Sequence, residues 1–127
     1  MVKLTLRPIV AAIQSLVPSA RIASANGTGV DLQGFDSALC VVSVGACTDG
    51  THTPKLQDSP DNSTWSDVVA AQLDGAFTAI TTANANTVQA VGYIGGQRYV
   101  RAVMTVAGAT TGGVMEAAIL RGNPRHV

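Results

Sequence analysis

The side chains of this 127-residue chain that could bind a metal or attack a substrate are two cysteines, two histidines and a scatter of aspartates. His52 and His126 are separated by most of the chain, and neither sits in a ligand spacing such as H-E-x-x-H. A zinc site would have to recruit Cys40 and Cys47 from elsewhere, so no metal site is expected. The run Asp58-Ser59-Pro60-Asp61-Asn62-Ser63 gathers oxygen ligands as a calcium loop does, but it lacks the glycine at the sixth position and the glutamate at the twelfth. Asx-turns account for the same residues.

Nucleophilic chemistry fares no better. Cys47 and His52 flank the Asp49-Gly50 turn as a conceivable thiol and base, yet no oxyanion site or third orienting group accompanies them. No G-x-S-x-G elbow is present, and Gly27-Thr28-Gly29 and Gly95-Gly96 are too short to cradle phosphate. The sequence therefore predicts a protein that performs no reaction and holds no cofactor.

The elements that would position any site read as short strands. Thr53 to Ser59 alternates, with Pro54, Leu56 and Asp58 on one face and Thr53, Lys55, Gln57 and Ser59 on the other. Tyr99 to Val106 alternates likewise, and Ser37 to Val44 is apolar enough to be a central strand buried on both faces. Further segments fall at Ala20–Ser24, Trp65–Val69, Ala76–Ile80, Thr87–Ile94 and Val114–Arg121. Between them lie Asn26-Gly27-Thr28-Gly29, Asp49-Gly50, Pro60 to Thr64, Asp74-Gly75, Asn84-Ala85-Asn86, Gly95-Gly96 and Gly108 to Gly113, all of which read as turns or loops. Such regular spacing predicts one all-β domain, an antiparallel sandwich of jelly-roll type, with a core of small and β-branched side chains. Asp49-Gly50 is expected to close a hairpin. Cys40, inside an apolar run, reads as a buried thiol; a disulfide with Cys47 would need the strand to turn back on itself.

The N-terminus imitates a signal peptide, with Lys3 and Arg7 before an apolar stretch and Ala23-Ser24-Ala25 as a small-residue site. Pro8, Gln14 and Pro18 interrupt that stretch, and it is too short to span a bilayer. The expectation is a retained arm over residues 1–19, with a short helical turn between Pro8 and Leu16, ahead of a sandwich over 20–127. Deleting residues 1–17 should then leave a folded domain.

Net charge is zero, but the signs are separated: Asp31, Asp36, Asp49, Asp58, Asp61, Asp67 and Asp74 lie in one stretch, and Arg98, Arg101, Arg121 and Arg125 in another. Complementary patches of this kind can steer a chain onto a partner or onto copies of itself. With two lysines and no basic stripe, nucleic acid is not an expected ligand, and no segment is a membrane span. Tyr99 and Arg101 share a strand face, a pairing common among binding hot spots. The candidate interface comprises Arg7, Ile9, Ile13 and Leu16 of the arm, Trp65, Arg98, Tyr99 and Arg101 of the domain, and Arg125 of the tail.

Three stretches, Asn26 to Ala38, Leu56 to Trp65 and Val91 to Arg101, together make the chain resemble small structural proteins of tailed bacteriophages. The resemblance spans about residues 20–126 and rests on strand and turn residues, with no active-site signature. It implies a protein made in the host cytoplasm and carried on the virion's capsid surface. There it would act as a decoration (cement) protein, with the major capsid protein and copies of itself, as a homotrimer, for partners. Leu56-Gln57-Asp58-Ser59 followed by Trp65 also looks like jelly-roll carbohydrate-binding modules of phage fibres, against which stands the scarcity of aromatic rings. A tail or connector subunit is the third reading.

Overall fold

A computed structural model describes residues 5–124, which form two antiparallel sheets packed face to face. The strands are β1 (Val10–Arg21), β2 (Ala25–Asn26), β3 (Val30–Asp31), β4 (Phe35–Cys47), β5 (Thr51–Ser59), β6 (Ser66–Asp67), β7 (Leu73–Asp74), β8 (Val88–Tyr93), β9 (Tyr99–Ala107) and β10 (Gly113–Pro124). The first sheet runs β1-β10-β4-β8-β7 and the second β2-β9-β5-β6, with β3 also pairing with β9. The expected all-β antiparallel sandwich is therefore the fold.

Alternation decides which side chains meet between the sheets. On β4 the inward set is Cys40, Val42 and Val44; on β10 it is Met115, Ala117 and Ile119. These face Leu56 of β5 and Val100, Ala102 and Met104 of β9. The alternation read over Thr53 to Ser59 holds as far as Asp58, since Pro54, Leu56 and Asp58 are buried while Lys55 and Gln57 are half-exposed; Ser59, expected on the outer face, is buried, its hydroxyl donating to Asp61. Pro54 is tolerated because β6 pairs with β5 only at Gln57 and Asp58, so no neighbour on that side needs its missing N–H.

Four expectations change. The segment from Val10 onward is no arm: it is a twelve-residue strand paired along its length with β10, and the helical turn shrinks to Arg7–Ile9. Bulges between Gln14 and Leu16 and between Leu16 and Ser19 let an interrupted sequence stay in the sheet, and Pro18 is accommodated because β1 is an edge strand. β4 is buried on one face only, its alternate residues being half-exposed. Ala76–Ile80 contributes a single bridge, Ile80 with His52, in place of a strand. Asp49-Gly50 closes no hairpin, because β4 and β5 belong to different sheets.

That turn does other work. Gly50 adopts φ +86°, and the Asp49 carboxylate reaches the loop before β10, accepting N–H bonds from Gly112 (2.6 Å), Thr110 (3.0 Å) and Thr111 (3.1 Å). These bonds, Gly112's foremost, hold its carboxyl below the usual carboxylate range. A group with a depressed folded-state pKa contributes stability that is complete above its unfolded pKa and is lost as pH falls through the folded one. Asp49→Ala is accordingly expected to remove amide-exchange protection at residues 110–112 at neutral pH, while wild type loses it only on acidification. Unchanged exchange in the variant would show that the loop holds itself.

Candidate interaction surface

The residues with chemical potential are mostly occupied by the fold. His52 is fully buried, and its Nε2 donates to the Asp49 carbonyl at 3.0 Å; Cys47 Sγ lies 4.0 Å from the same oxygen. Burial, and then the Asp49 carboxylate, raise the Cys47 thiol pKa, the opposite of what a nucleophile requires. Cys40 is pushed up to about 12 by burial, and both cysteines are free. Asp61 is the centre of an Asx-turn, accepting from Ser63 N–H (3.0 Å), Thr64 N–H (2.8 Å) and the Ser59 hydroxyl (2.9 Å). Among the described residues no three His, Cys, Asp or Glu side chains converge as metal ligands.

The predicted interface residues separate into two places. Trp65, Arg98, Tyr99 and Arg101 come together on the outer face of the second sheet. Arg101 stacks over the Trp65 ring at 4.4 Å, and its Nε and Nη2 both donate to Gln57 Oε1, at 2.9 and 2.7 Å. Gln57 in turn donates to Asp67 (2.8 Å), which also receives Lys55 Nζ (3.1 Å). Beside this chain, Arg98 lies over the Tyr99 ring at 5.1 Å and forks onto Asp31 with Nε–Oδ1 3.0 Å and Nη2–Oδ2 2.9 Å. The Arg98 fork is the main reason that the Asp31 carboxyl sits below its ordinary range.

The separated charges of the sequence thus meet within the molecule: the Asp31–Arg98 pair joins the acidic stretch to the basic one. What remains outward is a preassembled surface in which hydrogen bonds hold the Arg98 and Arg101 guanidiniums and each guanidinium stacks over an aromatic ring. Fixed side chains lose little entropy on binding, which makes such a surface suited to recognition.

The other predicted residues lie elsewhere. Arg7 is exposed in the short turn before β1, and Ile9 and Ile13 are 45% and 39% exposed along the edge of the first sheet. Leu16, expected at the interface, is a core residue at 3% exposure, carried inward by the bulge that precedes it. Arg125 lies outside the described residues, as does His126. Sequence reasoning missed Gln57 and Asp67, whose partners come from other strands. It also missed a cleft of about 300 Å³ between the β3–β4 connection and the Gly95-Gly96 turn, lined by Phe35, Ser37, Tyr93 and Arg98 among others.

No protein-family profile and no curated protein sequence matches the chain. Among the solved structures that share its fold are two proteins, XepA and YomS. The PBSX exported protein XepA superposes with TM-score 0.62 at 15% identity, over 92% of this chain and 38% of that one, so the chain spans well under half of XepA's length. The SPBc2 prophage-derived protein YomS superposes with TM-score 0.52 at 17% identity, over 96% of this chain and 100% of that one.

Proposed function

We propose that this chain is a non-enzymatic structural protein of a bacteriophage particle, and that it decorates the assembled head by binding the major capsid protein. The observation that carries the reading is the Trp65–Arg101 stack with its Gln57, Asp67 and Lys55 supports, an outward surface organised before any partner arrives. The sandwich shared with the PBSX exported protein XepA and the SPBc2 prophage-derived protein YomS supports a phage origin. Many weak contacts repeated over a symmetric shell give avidity without a strong single site. A ligand that binds only the assembled shell stabilises it by mass action.

The test is co-sedimentation of the purified chain with heads that lack it. Wild type is expected to pellet saturably, and Trp65→Ala and Arg101→Ala each to weaken binding at least about tenfold, the scale of a hot-spot truncation, with unchanged circular dichroism. Binding to tails or to immobilised glycans in place of heads, or indifference of head binding to both substitutions, would overturn the proposal.

A further inference from the structure

The outer face of the first sheet is apolar in an unusual way. Cross-strand registers place Ala12, Leu120, Leu39 and Gly92 in one row over β1, β10, β4 and β8, and Gln14, Ala118, Val41 and Ala90 in the next. A third row holds Glu116, Ser43 and Val88. The ionisable side chains on this face are Glu116, which receives a hydrogen bond from Gln14 Nε2 at 3.2 Å, and Asp74 of β7, which pairs with Gly92 at the far end of the first row. Val88 is 65% exposed, and Val114, beyond the third row, 43%. The inward neighbours of Leu39 and Val41 fill the core, while these two side chains point away from it and are half-exposed. A solvated antiparallel face alternates polar residues outward. This one does not: β4 carries the composition of a strand buried on both faces, and the chain itself covers only one.

We propose that this face is covered by a second copy of the chain, packed sheet to sheet as a homodimer. Its chemistry favours a copy over other occupants. The rows offer no cation or aromatic ring by which a lipid surface would be held. An isologous contact needs only self-complementarity. Small side chains (Ala12, Ala118, Ala90) sit beside large ones (Leu120, Leu39, Val41), so two copies can interdigitate at the usual sheet-packing distance of about 10 Å. Zero net charge leaves little repulsion between copies.

The area is adequate. β1 and β10 run twelve residues each, β4 thirteen and β8 six, so at about 4.8 Å spacing and about 3.4 Å per residue the whole face of these four strands presents about 700 Å² before side-chain relief is counted, close to the roughly 800 Å² per partner of a stable complex. The inference is independent of the particle-binding role, which uses the opposite sheet.

Sedimentation velocity of the full chain at about 50 µM, well above the dissociation constant of an ordinary dimer, is expected to show twice the 12.9 kDa chain mass. Val41→Lys and, separately, Ala90→Lys should each raise the dissociation constant at least about tenfold. Ala90 is exposed on β8, so its substitution tests the contact without burdening the core; circular dichroism checks both folds. A monomeric wild type, or a dimer that survives Ala90→Lys in a folded protein, would overturn the proposal.

Discussion

Removal of residues 1–17 is expected to abolish cooperative folding, the reverse of what an arm would allow. The cut takes most of β1, including Ser15 and Leu16, each 3% exposed. Leu16 fills the space beside Ala117. Ser15, at the bulge, ties the two sheets: its hydroxyl donates to the Thr28 carbonyl (2.8 Å) and accepts from the Ala102 N–H of β9 (2.9 Å). Thr28 N–H donates to the Ser15 carbonyl at 2.7 Å, and Gly27 N–H to the Ala102 carbonyl at 2.7 Å. A Cβ on Gly27 would lie 2.4 Å from the Ser15 hydroxyl, so the glycine is what permits this approach.

Truncation would strip the apolar inner edge of β10 of its neighbour and leave the buried Ala102 N–H without an acceptor. A single Leu16→Ala change is expected to cost about 2–5 kcal/mol, a large share of the roughly 5–15 kcal/mol that holds a domain together. Thermal melts followed by circular dichroism give the answer. A truncated chain that melts like wild type would show that β1 is an accessory strand.

Why β1 was illegible and β5 plain is a matter of what local pattern encodes. From Thr51 to Asp58 every second side chain turns inward, so period two survives and the strand reads directly. In β1 the two bulges reset the alternation, and Gln14 and Pro18 break the apolar run, so nothing short of the β10 partner reveals the strand. β4 shows the converse: its two-sided apolarity is plain in the sequence, yet the chain covers only one of its faces. The candidate site was half legible. Tyr99 and Arg101 share a face as their spacing requires. That Arg101 would stack on Trp65 and lean on Gln57, however, depends on β5–β9 register and on the loop before β6, which are tertiary facts. Charge segregation misled for the same reason, because Asp31 and Arg98 are far apart in sequence and adjacent in the fold.

Tyr93→Phe is expected to destabilise the sandwich by about 1–3 kcal/mol, the cost of leaving buried polar groups without a partner. The Tyr93 hydroxyl, on β8 of the first sheet, donates to Asp58 Oδ2 on β5 of the second at 2.8 Å and accepts from Gln97 N–H at 3.0 Å. Tyr93 is 5% and Asp58 9% exposed, so removing the hydroxyl strands a carboxylate oxygen and an amide at once. Asp58→Asn keeps an acceptor and should cost less than Asp58→Ala, and the double variant with Tyr93→Phe should cost less than the sum of its parts, as for groups in direct contact.

The same bond predicts a pH signature. Burial first, and then the Asp58 carboxylate, push the Tyr93 phenol up to about 12 from its ordinary 10. The native state therefore keeps a proton that the unfolded chain gives up, so the contribution is complete below pH 10 and is lost as pH rises towards 12. Between those values wild type should lose stability faster than Tyr93→Phe, which has no phenol to titrate at that position. In a Tyr99→Phe background, where Tyr93 is the sole tyrosine, the ultraviolet phenolate band should rise near pH 12. A band rising near pH 10, with parallel stability curves for the two proteins, would mean that the hydroxyl is solvated and the sheets are not joined there.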